Sequence, residues 1–364
     1  MSDAAIKKPG GWRRALRWLK RILLGLLALL MIIVIIGTIY EALGRRNAQA
    51  NYPPPGKLVD VGGRKMHIDC RGTGSPTVIL ESGLGTGGTT DWTLVHDQIA
   101  RFTRTCAYDR AGIMWSAPKD APQRASAVAD DLHTLLKRAG VDDPLMLVGH
   151  SIGGPYTRTY VGKYGDQVAG LVMVDPSHPD QVARLGKVSG INAHPNRAST
   201  IMHGAKALAW TGLVRFLITR SEGPKLRTAA ETKKLGDGLA KAAAYGSTSI
   251  RGSASELDGF DQTMADARAV HSFGNRPLIV LTAMAPMKPE QLEGLGLKAE
   301  QGERFKQEWK NLHTEQAAFS TRGRQQIVPD ATHYIQVDRP EVVIAAVREV
   351  VDTVRADAQL AARK

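Results

Sequence analysis

Cysteine is almost missing from this chain: Cys70 and Cys106 are the only two among 364 residues. Two thiolates are too few for a structural zinc centre. Aromatic residues make up only 5%, and no basic run is interleaved with them, so the chain lacks the footprint of a nucleic-acid-binding surface. Internal repeats are absent, and no low-complexity segment stands out beyond Ala-rich helices. Acidic residues are scarce at one end. Asp3 is the only one before residue 22, against Lys7, Lys8, Arg13, Arg14, Arg17, Lys20 and Arg21.

Charge of either sign is missing from Ile22–Tyr40, a 19-residue run. As a helix it would be about 28 Å long, close to the hydrocarbon thickness of a bilayer. The basic residues before it predict a cytoplasmic N-terminus, with everything after Tyr40 on the far side. Trp12 and Trp18 suit the interfacial level. Ala48-Gln49-Ala50 resembles a signal-peptide cleavage site, but the apolar run is longer than a usual signal core and ends ten residues earlier. The expected layout is a basic cytoplasmic segment (1–21), a retained transmembrane anchor (22–43) and a Pro-rich linker (44–56). Residues 1–46 hold nine Lys/Arg against two Asp/Glu, so +7 of the net +13 belongs to the anchor. Anionic lipid is the natural partner of that charge. The remainder is mildly basic, and nucleic acid is not an expected partner.

From Lys57 onward short β-like runs alternate with helical patterns, the signature of a mostly parallel sheet with helices on both faces. The expected strands are Leu58–Val61, Lys65–Cys70, Thr77–Glu81, Arg104–Tyr108, Leu145–Val148, Leu171–Val174, Leu278–Leu281 and Gln326–Val328. Helices are expected near Trp92–Arg101, Arg124–Ala139, Pro155–Tyr164 and Glu341–Asp357. Residues 177–276 break the rhythm and are too long for a loop. Their amphipathic pieces Ala205–Thr219, Leu226–Tyr245 and Ser255–Ser272 predict a helical cap inserted into a core of 57–176 and 277–358.

The decisive motif is Gly149-His150-Ser151-Ile152-Gly153, between an apolar strand and a helix. Strand, G-x-S-x-G, helix is the nucleophile elbow. Side chains at the flanking positions would collide with the neighbouring strand and helix, hence the glycines. The turn lifts the Ser151 hydroxyl off the end of the sheet and aims the first N–H groups of the helix at whatever is bonded to it. Serine needs an adjacent base to act as a nucleophile at neutral pH.

With Glu81-Ser82-Gly83-Leu84-Gly85 before Trp92, Tyr108-Asp109-Arg110-Ala111-Gly112, Val172-Met173-Val174-Asp175-Pro176 and Thr332-His333-Tyr334-Ile335-Gln336, the chain resembles the α/β-hydrolase fold family, in particular its cap-bearing serine hydrolases. The resemblance spans about residues 57–355. It implies an eight-stranded, mostly parallel sheet and a base, His333, on the loop after the last strand. Among the other histidines, His150 is expected to pack and His178 to lie near the cleft. Most relatives carry the orienting acid after the seventh strand, where this chain reads Leu281-Thr282-Ala283-Met284-Ala285-Pro286-Met287-Lys288, with no carboxylate. Some place it after the sixth, where Asp175 stands; Glu290 and Asp180 are the alternatives. The resemblance also implies an oxyanion hole made of the Leu84 and Ile152 N–H groups. Asp109-Arg110 reads as structural.

The family's strand order sets the second and fourth strands side by side, which implies a Cys70–Cys106 disulfide in an oxidising compartment. The expected activity is cofactor-free hydrolysis of a carboxylic ester or related acyl bond in a small-molecule substrate, through an acyl-enzyme. The alternatives are a cofactor-free peroxidase or acyltransferase using the same serine, and a non-catalytic binding or scaffold protein on the same fold. The missing acid after the seventh strand is the one feature that favours the scaffold.

Overall fold

The computed structural model describes residues 11–141, 144–220 and 228–363. Its sheet is built from β1 (Lys57–Asp60), β2 (Lys65–Arg71), β3 (Thr77–Glu81), β4 (Thr105–Tyr108), β5 (Leu145–His150), β6 (Val168–Val174), β7 (Leu278–Ala283) and β8 (Gly323–Val328). The order is β1-β2-β4-β3-β5-β6-β7-β8. β2 runs antiparallel to β1 and β4, and every pairing from β4–β3 to β7–β8 is parallel.

The central strands are continuous apolar runs because both faces are covered. Their alternate residues serve two separate cores. Val78, Leu80, Met146, Val148, Val172 and Val174 meet Val343, Val347 and Val350 of the C-terminal helix Pro340–Ala361. Ile79, Leu145, Leu147, Leu171 and Met173 meet Leu132 and Leu135 of Ala125–Ala139 and Tyr160 of Gly153–Tyr164.

Several elements differ from expectation. β6 begins at Val168 and β8 at Gly323, earlier than the apolar signal. β8 is an edge strand whose residues are mostly half-exposed, so its polar half Arg324-Gln325-Gln326 does not read as a strand. The region around Trp92–Arg101 is a 3-10 turn (Gly88–Trp92) and a four-residue helix (His96–Ile99). In the cap, one 30-residue helix, Ala229–Asp258, runs through the expected break and ends at Gly259. There the chain lies against the Gln123 carbonyl, and an added Cβ would overlap it. The expected start of that helix, Leu226, lies outside the described residues. Two helices between β7 and β8, Pro289–Leu295 and Ala299–Ala317, carry the largest departure.

The N-terminal helix spans Gly11–Asn51 and is long and apolar enough to cross a membrane. Residues 44–51, expected in the linker, are helical. The reason is packing: Ala48 is buried with Met114 and Tyr245, and Glu41 is buried against the cap.

Candidate active site

Ser151 follows β5 and holds φ at +54°, a left-handed conformation that a non-glycine residue adopts only under surrounding constraint. The constraint is visible. The Ser151 N–H donates to the Val174 carbonyl at 3.2 Å, and the Ser151 carbonyl accepts from Gly154 N at 2.9 Å and Ser177 N at 2.8 Å. A Cβ on Gly149 would come within 2.6 Å of the Gly153 carbonyl, and one on Gly153 within 2.6 Å of the Glu81 carbonyl. Neither gap admits a side chain, which is why the motif carries glycine on both sides.

Asp175, the residue after β6, also has positive φ, +44°. His333, on the loop after β8, places Nδ1 2.7 Å from Asp175 Oδ2. Asp175 Oδ1 accepts from the Ala283 N–H at 2.8 Å and from Trp309 Nε1 at 3.1 Å. The segment 281–288, which lacks an acid, thus supplies a backbone donor from Ala283, the last residue of β7, to the acid that follows β6. Burial works to raise the Asp175 carboxyl, but the hydrogen bond and charge of His333, together with His313 and the Ala283 N–H, hold it below the usual carboxylate value. The two alternative acids lie elsewhere: Asp180 pairs with Arg268 at 2.7 Å, and Glu290 is exposed on Pro289–Leu295.

His150 is buried beneath His333. Its Nε2 lies 2.9 Å from the His333 carbonyl and its ring 4.7 Å from the His333 ring. Burial, reinforced by His333, pushes it down to about 3, so it is neutral and its Nε2–H is the donor. His178 is buried as well; burial and nearby Arg158 lower it to about 4, and its Nδ1 accepts from the Asp180 N–H.

The loop after β3 passes close over the serine: a Cβ on Gly83 would lie 3.3 Å from Ser151 Cβ. Leu84 packs beside Ile152 and Tyr156. Arg110 fixes this loop, donating to the Ser82 carbonyl at 2.8 Å and the Gly83 carbonyl at 2.7 Å. The same buried guanidinium binds Glu81 at 2.6 Å and Glu256 of the cap helix at 2.7 Å. Its neighbour Asp109 binds His67 Nδ1 and the Thr89 N–H, both at 2.7 Å. This pair clamps loops, as expected of it.

Ser151, Asp175 and His333 share one cleft of about 1020 Å³. Its walls come from both helical insertions. Leu185, Ile191 and Ile201 belong to the cap; Met287, Leu295 and Phe305 lie between β7 and β8. The second wall and Trp309 are the parts the sequence reading missed. A signal existed, since Phe305, Trp309 and Leu312 follow a helical spacing. Cys70 and Cys106 are paired partners on β2 and β4 and form a disulfide.

Residues 76–267 match the model of the family described as alpha/beta hydrolase fold. The chain is 26% identical to the uncharacterized protein YqjL of Bacillus subtilis over 300 residues, 81% of this chain and 91% of the relative. Among solved structures, a thermophilic esterase from Thermogutta terrifontis superposes with a TM-score of 0.52 at 20% identity, covering 82% of this chain and 98% of that one. The enol-lactonase from Burkholderia xenovorans gives 0.53 at 19% identity, covering 81% and 100%. The chain belongs to the α/β-hydrolase fold family.

Proposed function

We propose that this protein is a membrane-anchored serine hydrolase that cleaves a carboxylic ester, or a related acyl bond, in a small-molecule substrate. The observation that carries the reading is the 2.7 Å contact between His333 Nδ1 and Asp175 Oδ2 in the same cleft as Ser151. Asp175 holds His333 with its Nδ1 protonated, leaving Nε2 as the base. His333 takes the Ser151 proton as Oγ attacks the acyl carbonyl. The Leu84 and Ile152 N–H groups carry the developing oxyanion. Collapse expels the alcohol, which receives the proton from His333. Water, activated by the same base, then releases the acid and restores Ser151. The chemistry needs no cofactor.

The helix 11–51 is read as a retained anchor, with the N-terminus cytoplasmic and the hydrolase domain outside. Retention is supported by the burial of Glu41 and Ala48 against the domain; cleavage after Ala50 would remove both. Export is supported by the Cys70–Cys106 bond, since cytosolic thiols are kept reduced.

The test is labelling of the full-length protein in detergent with a fluorophosphonate probe, beside Ser151→Ala. Labelling of the parent alone is the expected result. A folded parent that resists the probe would overturn the reading.

A further inference from the structure

The cap leaves a row of large apolar side chains uncovered. Trp210 is 55% exposed, Leu213 46% and Leu217 61%. On the preceding helix, Asn196–Leu208, Ile201 and Leu208 are exposed as well. They stand seven residues apart, two helical turns, and so fall on the same side. Scattered exposed apolar residues are ordinary, but a continuous row needs an occupant.

The place of this row in the fold names the occupant. The Thr211–Gly212 turn sits directly on Gly37 of the N-terminal helix; a Cβ on Gly37 would overlap the Thr211 carbonyl, and one on Gly212 the Gly37 carbonyl. Gly37 lies three residues before Tyr40, the end of the uncharged run, a rise of about 4.5 Å. The turn is therefore level with the last turn of the apolar run. With that helix across a bilayer, Trp210 and Leu213, on either side of the turn, would stand where hydrocarbon gives way to headgroups, a level that tryptophan favours. Arg220 stacks on Phe216 at 4.0 Å, putting a cation for lipid phosphate at the same edge. At the opposite end of Asn196–Leu208, Arg197, Ala198 and Ile201 form part of the cleft wall. The uncovered row thus joins the membrane-crossing helix to the mouth of the site.

We infer that the Trp210–Leu217 face of the cap rests in the headgroup–acyl boundary of the bilayer, and that the cleft draws its acyl substrate from that leaflet as a lipid ester. The inference rests on the anchor and hydrolase readings above. Interfacial burial of such a face reaches about 5–10 Å into the boundary.

The test uses the full-length protein in phosphatidylcholine vesicles whose acyl chains carry bromine. Tryptophan emission is compared between the parent and Trp210→Phe, which isolates Trp210 from the other five tryptophans. The Trp210 difference signal should fall about twofold in brominated vesicles, as expected for an indole at interfacial depth. No quenching in vesicles that retain the protein through alkaline extraction would overturn the docking, and would point to a protein partner for the face. Loss of the protein on extraction would overturn the anchor reading, and the docking with it. A second arm uses Trp210→Ser/Leu213→Ser/Leu217→Ser. Hydrolysis of a long-chain diacylglycerol in the vesicles should drop about tenfold, while a short soluble ester is cleaved as by the parent. Equal rates on the lipid ester would overturn delivery from the leaflet. A parent inert on both esters would instead overturn the hydrolase reading, with the quenching result standing on its own.

Discussion

At the scale of single residues, Asp175 bears the largest demand. Its Oδ2 faces His333 Nδ1, while Oδ1 is held by Ala283 and Trp309. Asparagine keeps the shape and an acceptor oxygen but turns an amide N–H toward His333, forcing the wrong tautomer. Asp175→Asn should lower kcat by about 10³–10⁴-fold with unchanged thermal unfolding. Near-parental turnover would remove Asp175 from the reaction. His150 makes a second prediction, about pH. Its folded value of about 3 lies below its ordinary 6.5, so the unfolded chain binds the proton and the native state does not. Stability therefore falls as pH drops from about 6.5, by about 2 kcal/mol at pH 4.5. Asp91 works in the opposite sense: burial lifts it to about 7, against the pull of Arg110, so the native state binds its proton first. The clean measurement is therefore a difference. Denaturant unfolding of the parent and His150→Gln at pH 6.5 and 4.5 should show the variant losing about 2 kcal/mol less over that interval. Identical losses would mean that His150 is not held neutral.

At the scale of elements, legibility followed burial. β3, β5, β6 and β7 are covered on both faces, and their apolar runs announce them. β8 is an edge, and its polar start is visible only in its pairing with β7. The elbow was legible because its glycines answer to local collisions. Asp175 and His333 were reached through the resemblance and not through any local pattern, since their meeting depends on how β6 and β8 are placed. Trp309 is not legible because its helix carries few apolar positions among many charged ones, and its contact with Asp175 spans 134 residues of sequence. Cys70 and Cys106 became a pair through strand order, and the register sets them directly opposite each other. Their bond closes a separation of 36 residues. Replacing both with serine should lower unfolding stability by about 4 kcal/mol, read by urea titration. The proposed catalytic site, at the C-terminal ends of β5 and β6, should keep its activity at low temperature. A variant as stable as the parent would mean that the bond does not constrain the unfolded chain.

At the scale of the whole molecule, the N-terminal helix and the cap are joined by a buried ion pair that the sequence did not disclose. Arg215 Nε lies 2.8 Å from Glu41 Oε2, and both side chains are 4% exposed. The guanidinium also reaches the Ala244 carbonyl at 2.8 Å and Ser247 Oγ at 2.9 Å. Glu41 receives Ser247 Oγ and Arg45 Nε, each at 2.7 Å. A buried pair adds little net stability over apolar groups of like size, but removing one partner leaves the other charge stranded in a poor solvent. Glu41→Gln alone should therefore cost about 3–5 kcal/mol in denaturant unfolding of the full-length protein in detergent. Adding Arg215→Met removes the stranded charge, and the double variant should recover most of that loss. Simple addition of two independent losses would show that the charges do not depend on each other. Cutting at the Ala48-Gln49-Ala50 site is a different case: it would take Glu41 away together with Gly44, which lies against the Arg215 side chain, and so open that charge to water. Arg215→Met should then change the unfolding stability of a domain beginning at Asn51 by only about 0.5 kcal/mol, while costing the full chain several times as much through the loss of its buried pair.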